Sequence, residues 1–298
     1  MQFSYHCVEC LLNMQFSRIR KETDMGKKLS CAQESLAILA GAPKGVAAPY
    51  TVPALDDTFR AHFGGSFDPH YSFKQQANRL MLERLPAVRA AVQAAADPLQ
   101  AALLCSRAGN YIDFSVIGDH IDEDYLDRLL TEAASQPLDP AEYKTFCAEL
   151  SAADSLLFIT DNAGEIVLDR LLLEELHKRF PHLALTVCVR GGPALNDALR
   201  EDAEAAGIPA LARVIDNGSR IGGMEPDYLG AEAHEALESA PVILAKGQAN
   251  LETLLGCGRN IYYLFLCKCS RFTQMFAVPA MTGMFLNERR LRLADPNA

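Results

Sequence analysis

From about residue 150 onward, short apolar runs alternate with stretches of helical periodicity. The runs are LLFI (156–159), LALTVCV (183–189), ARVI (212–215), VILA (242–245) and IYYLFL (261–266). Apolar runs of this length bounded by polar or Gly-containing sequence read as buried strands. Between the first two, EIVLDRLLLEELHKRF sets Leu168, Leu172, Leu176 and Phe180 four residues apart, one stripe of a helix. Strand and helix in alternation predict a parallel sheet with helices on its faces. Before residue 150 the texture differs. KQQANRLMLERLPAVRAAVQAAA is built of good helix formers, and GAPKGVAAP and HFGGSFDPH read as loops. The pattern predicts an α/β protein: a mainly helical N-terminal domain or cap over residues 1–150 and an α/β, Rossmann-like core over 151–298. The last residues, ADPNA, read as a loose tail.

Composition narrows the partners. The chain has 298 residues, is 49% apolar and carries a net charge of −10. Such an acidic balance argues against a nucleic-acid-binding surface, but not against a small anion held by a local metal and a few cations. No apolar stretch approaches the roughly 20 residues a membrane-spanning helix needs. MQFSYHCVEC lacks a basic segment followed by an apolar run, so no secretory signal is read and a cytoplasmic protein is expected. In that compartment most of the nine cysteines are expected as reduced thiols. Cys31, Cys105, Cys147, Cys188 and Cys257 stand alone and read as core residues.

Ligands of open α/β sheets bind beyond the carboxyl ends of the strands. Each proposed strand ends in polar or Gly-rich sequence: Thr160-Asp161-Asn162, Arg190-Gly191-Gly192, Asp216-Asn217-Gly218, Lys246-Gly247-Gln248 and Lys268-Cys269. In DNAGE (161–165), Asp161 and Asn162 offer adjacent oxygen ligands suited to Mg²⁺ or Mn²⁺. Gly164 permits a tight turn, and Glu165 opens a helix whose first N–H groups suit an anion. Helix capping is the competing reading of the same residues. In RGGPALNDA (190–198), Gly191 allows close backbone approach, and Asp197, next to Asn196, is placed to give a second carboxylate; a loop and cap is again the alternative. In KGQANLETL (246–254), Lys246 is a point charge for phosphate, although a strand-terminal lysine is commonly a surface residue. RAGNYIDF (107–114) places Asn110 and Asp113 where they reach the site edge from the helical part, or simply cap a helix. CVEC (7–10) and CKC (267–269) put Cys7, Cys10 and Cys269 forward as a candidate second, soft-metal site. Neither a Walker loop nor GxGxxG is present.

Together RAGNYID, DNAGE, GGPALNDA and KGQANLETL resemble the damage-control phosphatase family, formerly domain-of-unknown-function family 89, over roughly residues 105–270. The CxxC and Lys268-Cys269 resemble its largely prokaryotic subgroup. The resemblance implies a three-layer α/β/α core joined to a helical N-terminal domain, and phosphatase activity dependent on Mn²⁺, Co²⁺, Ni²⁺ or Mg²⁺. It implies a metal held by Asp161, Asn162 and Asp197, and a phosphate contacted by Lys246, with Ala249 where relatives often carry glycine. The substrate expected is a small phosphorylated metabolite such as a sugar phosphate. Asn196 and the backbone near Gly164 and Gly191 are expected to help hold the phosphate, and Glu165 to position the attacking water. Ala163 stands where a DxD phosphatase needs its second acid, which favours water over an aspartyl-phosphate. Two rival readings are an S-adenosylmethionine-dependent carboxyl methyltransferase, whose glycine-rich loop is not evident, and a non-catalytic metal-binding protein.

Overall fold

The computed structural model describes residues 3–110, 131 and 136–294. Helices α1 (Tyr5–Ile19), α2 (Met25–Ala40), α3 (Val52–Phe63), α4 (Tyr71–Ala94) and α5 (Pro98–Gly109) come first, and α6 (Pro140–Ala152) leads into the sheet. Local chemistry sets several starts. The carboxylates of Asp24, Asp97 and Asp139 accept from backbone N–H groups of Lys27, Gln100 and Ala141, and Pro98 and Pro140 occupy first-turn positions where no N–H is needed.

Six strands follow: β1 (Ser155–Ile159), β2 (Ala184–Val189), β3 (Arg213–Asp216), β4 (Val242–Lys246), β5 (Ile261–Cys267) and β6 (Thr282–Asn287). Their order is β3-β2-β1-β4-β5-β6, parallel from β1 to β5, with β6 antiparallel on β5. All five expected strands are present. The sixth, TGMFLN, is an edge strand of mixed burial, so its sequence carries no continuous apolar run. Interleaved are α7 (Glu165–Arg179), α8 (Arg200–Ala205), α9 (Ala231–Ser239), α10 (Gly247–Leu254) and α11 (Ser270–Phe276).

The alternation of side chains along the strands makes two apolar layers. Leu156, Phe158, Val187, Leu244, Tyr262 and Leu264 face α7 together with Met81, Leu103 and Phe146 of α4, α5 and α6. Leu157, Ile159, Cys188, Ile215, Ile243 and Phe265 face Leu237, Leu251 and Phe272 of α9, α10 and α11. The core therefore does not divide at residue 150: α4, α5 and α6 belong to one layer of the α/β/α sandwich. The reason lies in α7, which buries Ile166, Val167, Leu168, Leu171, Leu172, Leu173 and Leu176. A helix apolar over so wide an arc needs cover from the sheet and from α4 and α5 at once. Each such side chain contributes about 1.5–3 kcal/mol on burial. The first three helices keep their own small cluster around Leu11, Leu39, Val52 and Leu55. No helix among the described residues is long and apolar enough to cross a membrane.

Candidate active site

The chain leaves β1 toward β2 on one side, while β4 lies on the other, so the carboxyl ends of β1 and β4 flank the switch point of the sheet. That is where a crevice opens in such folds. Asp161 and Asn162 follow β1, and Lys246 ends β4. Residues more than thirty positions later in the chain are zipped against the β1 loop by backbone bonds. Ala198 N donates to Asp161 O at 2.8 Å, and Ala163 N to Asn196 O at 2.9 Å. Asn162 and Asp197 form an antiparallel bridge. Arg190 N donates to Ala198 O at 3.0 Å and closes the 190–198 loop on itself. Asp161, Asn162 and Asp197 are thus neighbours because the backbone makes them so.

A second set of groups lies behind them. Asp161 Oδ2 accepts from Asn110 Nδ2 (2.6 Å) and Asn162 Nδ2 (2.8 Å). Glu165 Oε2 accepts from the same two amides at 3.0 and 3.1 Å, and its Oε1 from Lys246 Nζ at 2.7 Å. Lys246 Nζ also donates to Asp169 Oδ1 (2.5 Å) and Ser106 O (3.1 Å). Ser106 Oγ donates to Asp169 Oδ1 as well, at 2.6 Å. On the other flank, Arg190 Nε donates to Asp197 Oδ2 at 2.5 Å, while its Nη2 donates to Thr160 O and Asn250 Oδ1 at 3.2 and 3.3 Å. Gly247 backs the Asp161 carboxylate: it has φ 76°, and a Cβ there would fall inside that carboxylate.

Burial dominates the electrostatics. It pushes Asp161 well above the usual carboxylate range, reinforced by Glu165 and Asp197 and opposed by Arg190 and Lys268. Burial likewise raises Asp197, against the pull of Arg190, and raises Asp169 to about 6 against the pull of Lys246. Burial pulls the Lys246 ammonium down, but Asp169 and Glu165 outweigh it and its pKa is raised. Both elevated carboxylates at the crevice, Asp161 and Asp197, favour a cation that would compensate their charge.

The donor chemistry fits a hard divalent ion. Asp161 Oδ1, Asn162 Oδ1 and Asp197 Oδ1 accept no hydrogen bond from the described residues, whereas the second oxygens of both carboxylates are engaged. Three oxygens of this kind, from side chains that are almost but not fully buried, match the oxygen ligation of Mg²⁺ or Mn²⁺.

The expected phosphate contacts fare differently. Gly164 N donates to Asn78 Oδ1 at 2.7 Å, and Gly191 N to Asn217 Oδ1 at 2.8 Å, so neither N–H is available as expected. Asn110 spends its amide on Asp161 and Glu165, and its Oδ1 accepts from Leu266 N at 3.3 Å. Lys246 has all three donors engaged and its side chain is wholly buried, so it contacts a phosphate only by releasing one acceptor. Both oxygens of Glu165 are taken, which makes it the holder of Asn110, Asn162 and Lys246. Asn196 alone of the expected contacts keeps a buried, unpartnered donor, Nδ2. Asp113 lies outside the described residues. Cys7, Cys10 and Cys269 do converge: burial and the proximity of Cys269, Glu252 and Cys7 raise the Cys10 thiol. Among the described residues, however, no three His, Cys, Asp or Glu side chains are arranged to hold an ion.

Asp169, Arg190 and Asn78 were not singled out by sequence reasoning. Asp169 carries a readable signal, a carboxylate inside an otherwise apolar helix, which demands a buried partner. Arg190 was hidden by attention to the glycines that follow it. Asn78 sits in α4 with no local signal at all.

A cavity of about 670 Å³ adjoins the site. Its walls include Tyr50, Asp57, Gly191, Arg220 and Tyr228. Gly222, next to the wall residue Ile221, turns its Cα toward Asp197: a Cβ there would lie 3.9 Å from Asp197 Oδ2. A smaller cavity of about 290 Å³, around Ser155, Thr186 and Arg213, sits at the amino-terminal ends of the strands, remote from this chemistry.

Known proteins resemble this arrangement throughout. The model of the damage-control phosphatase ARMT1-like domain matches residues 3–281. A damage-control phosphatase of Archaeoglobus fulgidus is 33% identical over 274 residues, covering 90% of this chain and 93% of its own. Another from Pyrococcus horikoshii is 28% identical over 282 residues, covering 94% of this chain and 96% of its own. The crystal structure of a DUF89 family protein from Pyrococcus horikoshii superposes with a TM-score of 0.84 at 24% identity, covering 97% of this chain and 99% of that one.

Proposed function

The chain belongs to the damage-control phosphatase ARMT1-like family, and from that premise we propose that it is a metal-dependent phosphatase of small phosphorylated metabolites such as sugar phosphates. The observation that carries the metal is the set of three oxygens, Asp161 Oδ1, Asn162 Oδ1 and Asp197 Oδ1, left free of protein donors at a buried crevice. Mn²⁺, Co²⁺, Ni²⁺ or Mg²⁺ would be held by these residues and, when bound, would polarise the phosphoryl group and a water molecule.

The chain's own groups then do the positioning. Asn110 and Asn162 fix the Asp161 carboxylate through its Oδ2. Lys246 anchors Glu165, and Glu165 in turn holds both amides, so the metal ligands are kept in one geometry by a fully buried ion pair. Arg190 does the same for Asp197 from the opposite flank. Preorganised groups of this kind cost no rearrangement when charge develops on the phosphoryl oxygens. The neighbouring cavity, with an aromatic pair Tyr50–Tyr228 at 4.9 Å and an Arg220–Asp57 ion pair, supports an organic group beyond the phosphate.

Phosphate release from a panel of sugar phosphates, with and without each metal, tests the reading. Release is expected only with metal. Protein inactive with every metal, or equally active in excess chelator, would sink it.

A further inference from the structure

Most donors at the crevice have an acceptor within the protein. Lys246, Asn110 and the backbone N–H groups of Gly164 and Gly191 are all engaged. Two side-chain donors of the loop that carries Asp197 are not: Arg190 Nη1 and Asn196 Nδ2 are buried with no hydrogen-bond acceptor. Leaving such a group unsatisfied costs about 1–3 kcal/mol, more where it is charged, so a native fold that leaves two in one closed loop has a use for them. Arg190 is also the cation nearest Asp197, with Nε already fixed on Asp197 Oδ2. That fixed edge aims the rest of the guanidinium, because its donors form a rigid planar fork.

We propose that Arg190 Nη1 and Asn196 Nδ2 form the subsite for the non-bridging oxygens of the substrate's phosphate, beside the metal ligands. The inference rests on the phosphatase reading above and goes beyond it by moving the phosphate contact from Lys246 to Arg190. The geometry gives each cation one task. Lys246 neutralises Glu165 and Asp169 behind the ligands, and Arg190 faces the dianion while steadying Asp197. Arginine suits the second task, since its planar fork serves two oxygens at once. Both nitrogens are shut from water in the free protein, so the loop must move outward slightly to admit an oxygen. It already stores strain beside Asn196: Leu195 is a partly exposed non-glycine residue at φ 51°.

The test titrates inorganic phosphate by calorimetry into full-length protein saturated with Mn²⁺, and measures Mn²⁺ affinity separately by electron paramagnetic resonance. Wild type is compared with Arg190→Lys, which keeps charge near Asp197 but loses the fork, and with Asn196→Ala, a loop substitution whose fold is checked by its melting temperature. Each variant is expected to weaken phosphate binding about tenfold or more, with Mn²⁺ affinity changed by less than about threefold, as befits loss of one charged hydrogen bond. The proposal is overturned if both variants bind phosphate as wild type does. It is equally overturned if phosphate and Mn²⁺ affinities fall in step, since Arg190 then serves Asp197 alone. Wild type that binds phosphate through these residues yet hydrolyses nothing refutes the phosphatase reading and leaves the subsite standing. Wild type that hydrolyses phosphomonoesters, with phosphate affinity untouched by either variant, does the reverse.

Discussion

At the scale of single residues, the site is a balance of buried charges, and two of them make separable predictions. Glu165 is one of two carboxylates on the buried Lys246 ammonium. Glu165→Gln removes a charge partner and turns an acceptor for Asn110 and Asn162 into a group that is half donor. Loss of one partner of a buried pair costs about 3–5 kcal/mol, so chemical denaturation should show a destabilisation of that size. A change below about 1 kcal/mol would mean Asp169 alone satisfies Lys246. Asp169 gives a pH signature. Burial raises its pKa to about 6, above the value of an unfolded aspartate, so the folded state binds the extra proton between about 4 and 6. Its contribution to stability is therefore present at low pH and lost as pH rises through 6. Asp169→Asn lacks that loss, and the melting temperature of the variant relative to wild type is expected to climb from pH 4 to pH 7. A flat or falling difference contradicts the assignment. Of these residues the sequence exposed Asp161, Asn162, Glu165, Asp197 and Lys246 through their place after strands. It did not reveal that Lys246 faces inward, because strand position says nothing about which acceptors a long side chain meets.

At the scale of elements, the five parallel strands were legible because each is a continuous apolar run buried on both faces. β6 was not, since an edge strand needs no such run. The α7 stripe of Leu168, Leu172 and Leu176 was read correctly but too narrowly: Ile166, Val167, Leu171 and Leu173 are buried as well, and the extra faces are what draw α4 and α5 onto the sheet. The β4–α10 junction tests how tightly an element boundary serves the site. Gly247 has a left-handed φ of 76° and touches the Asp161 carboxylate. Gly247→Ala adds backbone strain and displaces Asp161. Mn²⁺ affinity is expected to fall at least about tenfold, the equivalent of 1.4 kcal/mol, while the protein still melts cooperatively. Unchanged Mn²⁺ affinity would show that Asp161 is not a ligand.

At the scale of the whole molecule, the division at residue 150 followed a real change in sequence texture, from helix formers to strand runs. Texture reports secondary structure, however, and not which helices share a core. Only α1, α2 and α3 hold a cluster of their own, and they meet the sheet end through Ala47 N donating to Glu225 Oε2 at 3.2 Å and the Arg220–Asp57 pair. The 670 Å³ cavity lies along that seam, so substrate preference is expected to depend on it. Tyr228→Ala, at a half-exposed wall position, should raise KM for phosphomonoesters with a bulky organic group by several-fold, while inorganic phosphate inhibits as before. Equal effects on every substrate and on phosphate would remove the cavity from the account.

The central claim is that Asp161, Asn162 and Asp197 hold a catalytic metal. Mn²⁺ titration monitored by electron paramagnetic resonance, on wild type and on Asp197→Asn, addresses it most directly. Wild type is predicted to bind one ion per chain, the variant to bind at least about 100-fold more weakly, as loss of a charged ligand implies, and phosphate release from sugar phosphates to fall in parallel. Undiminished Mn²⁺ binding by Asp197→Asn, or wild-type turnover without any metal, would contradict it.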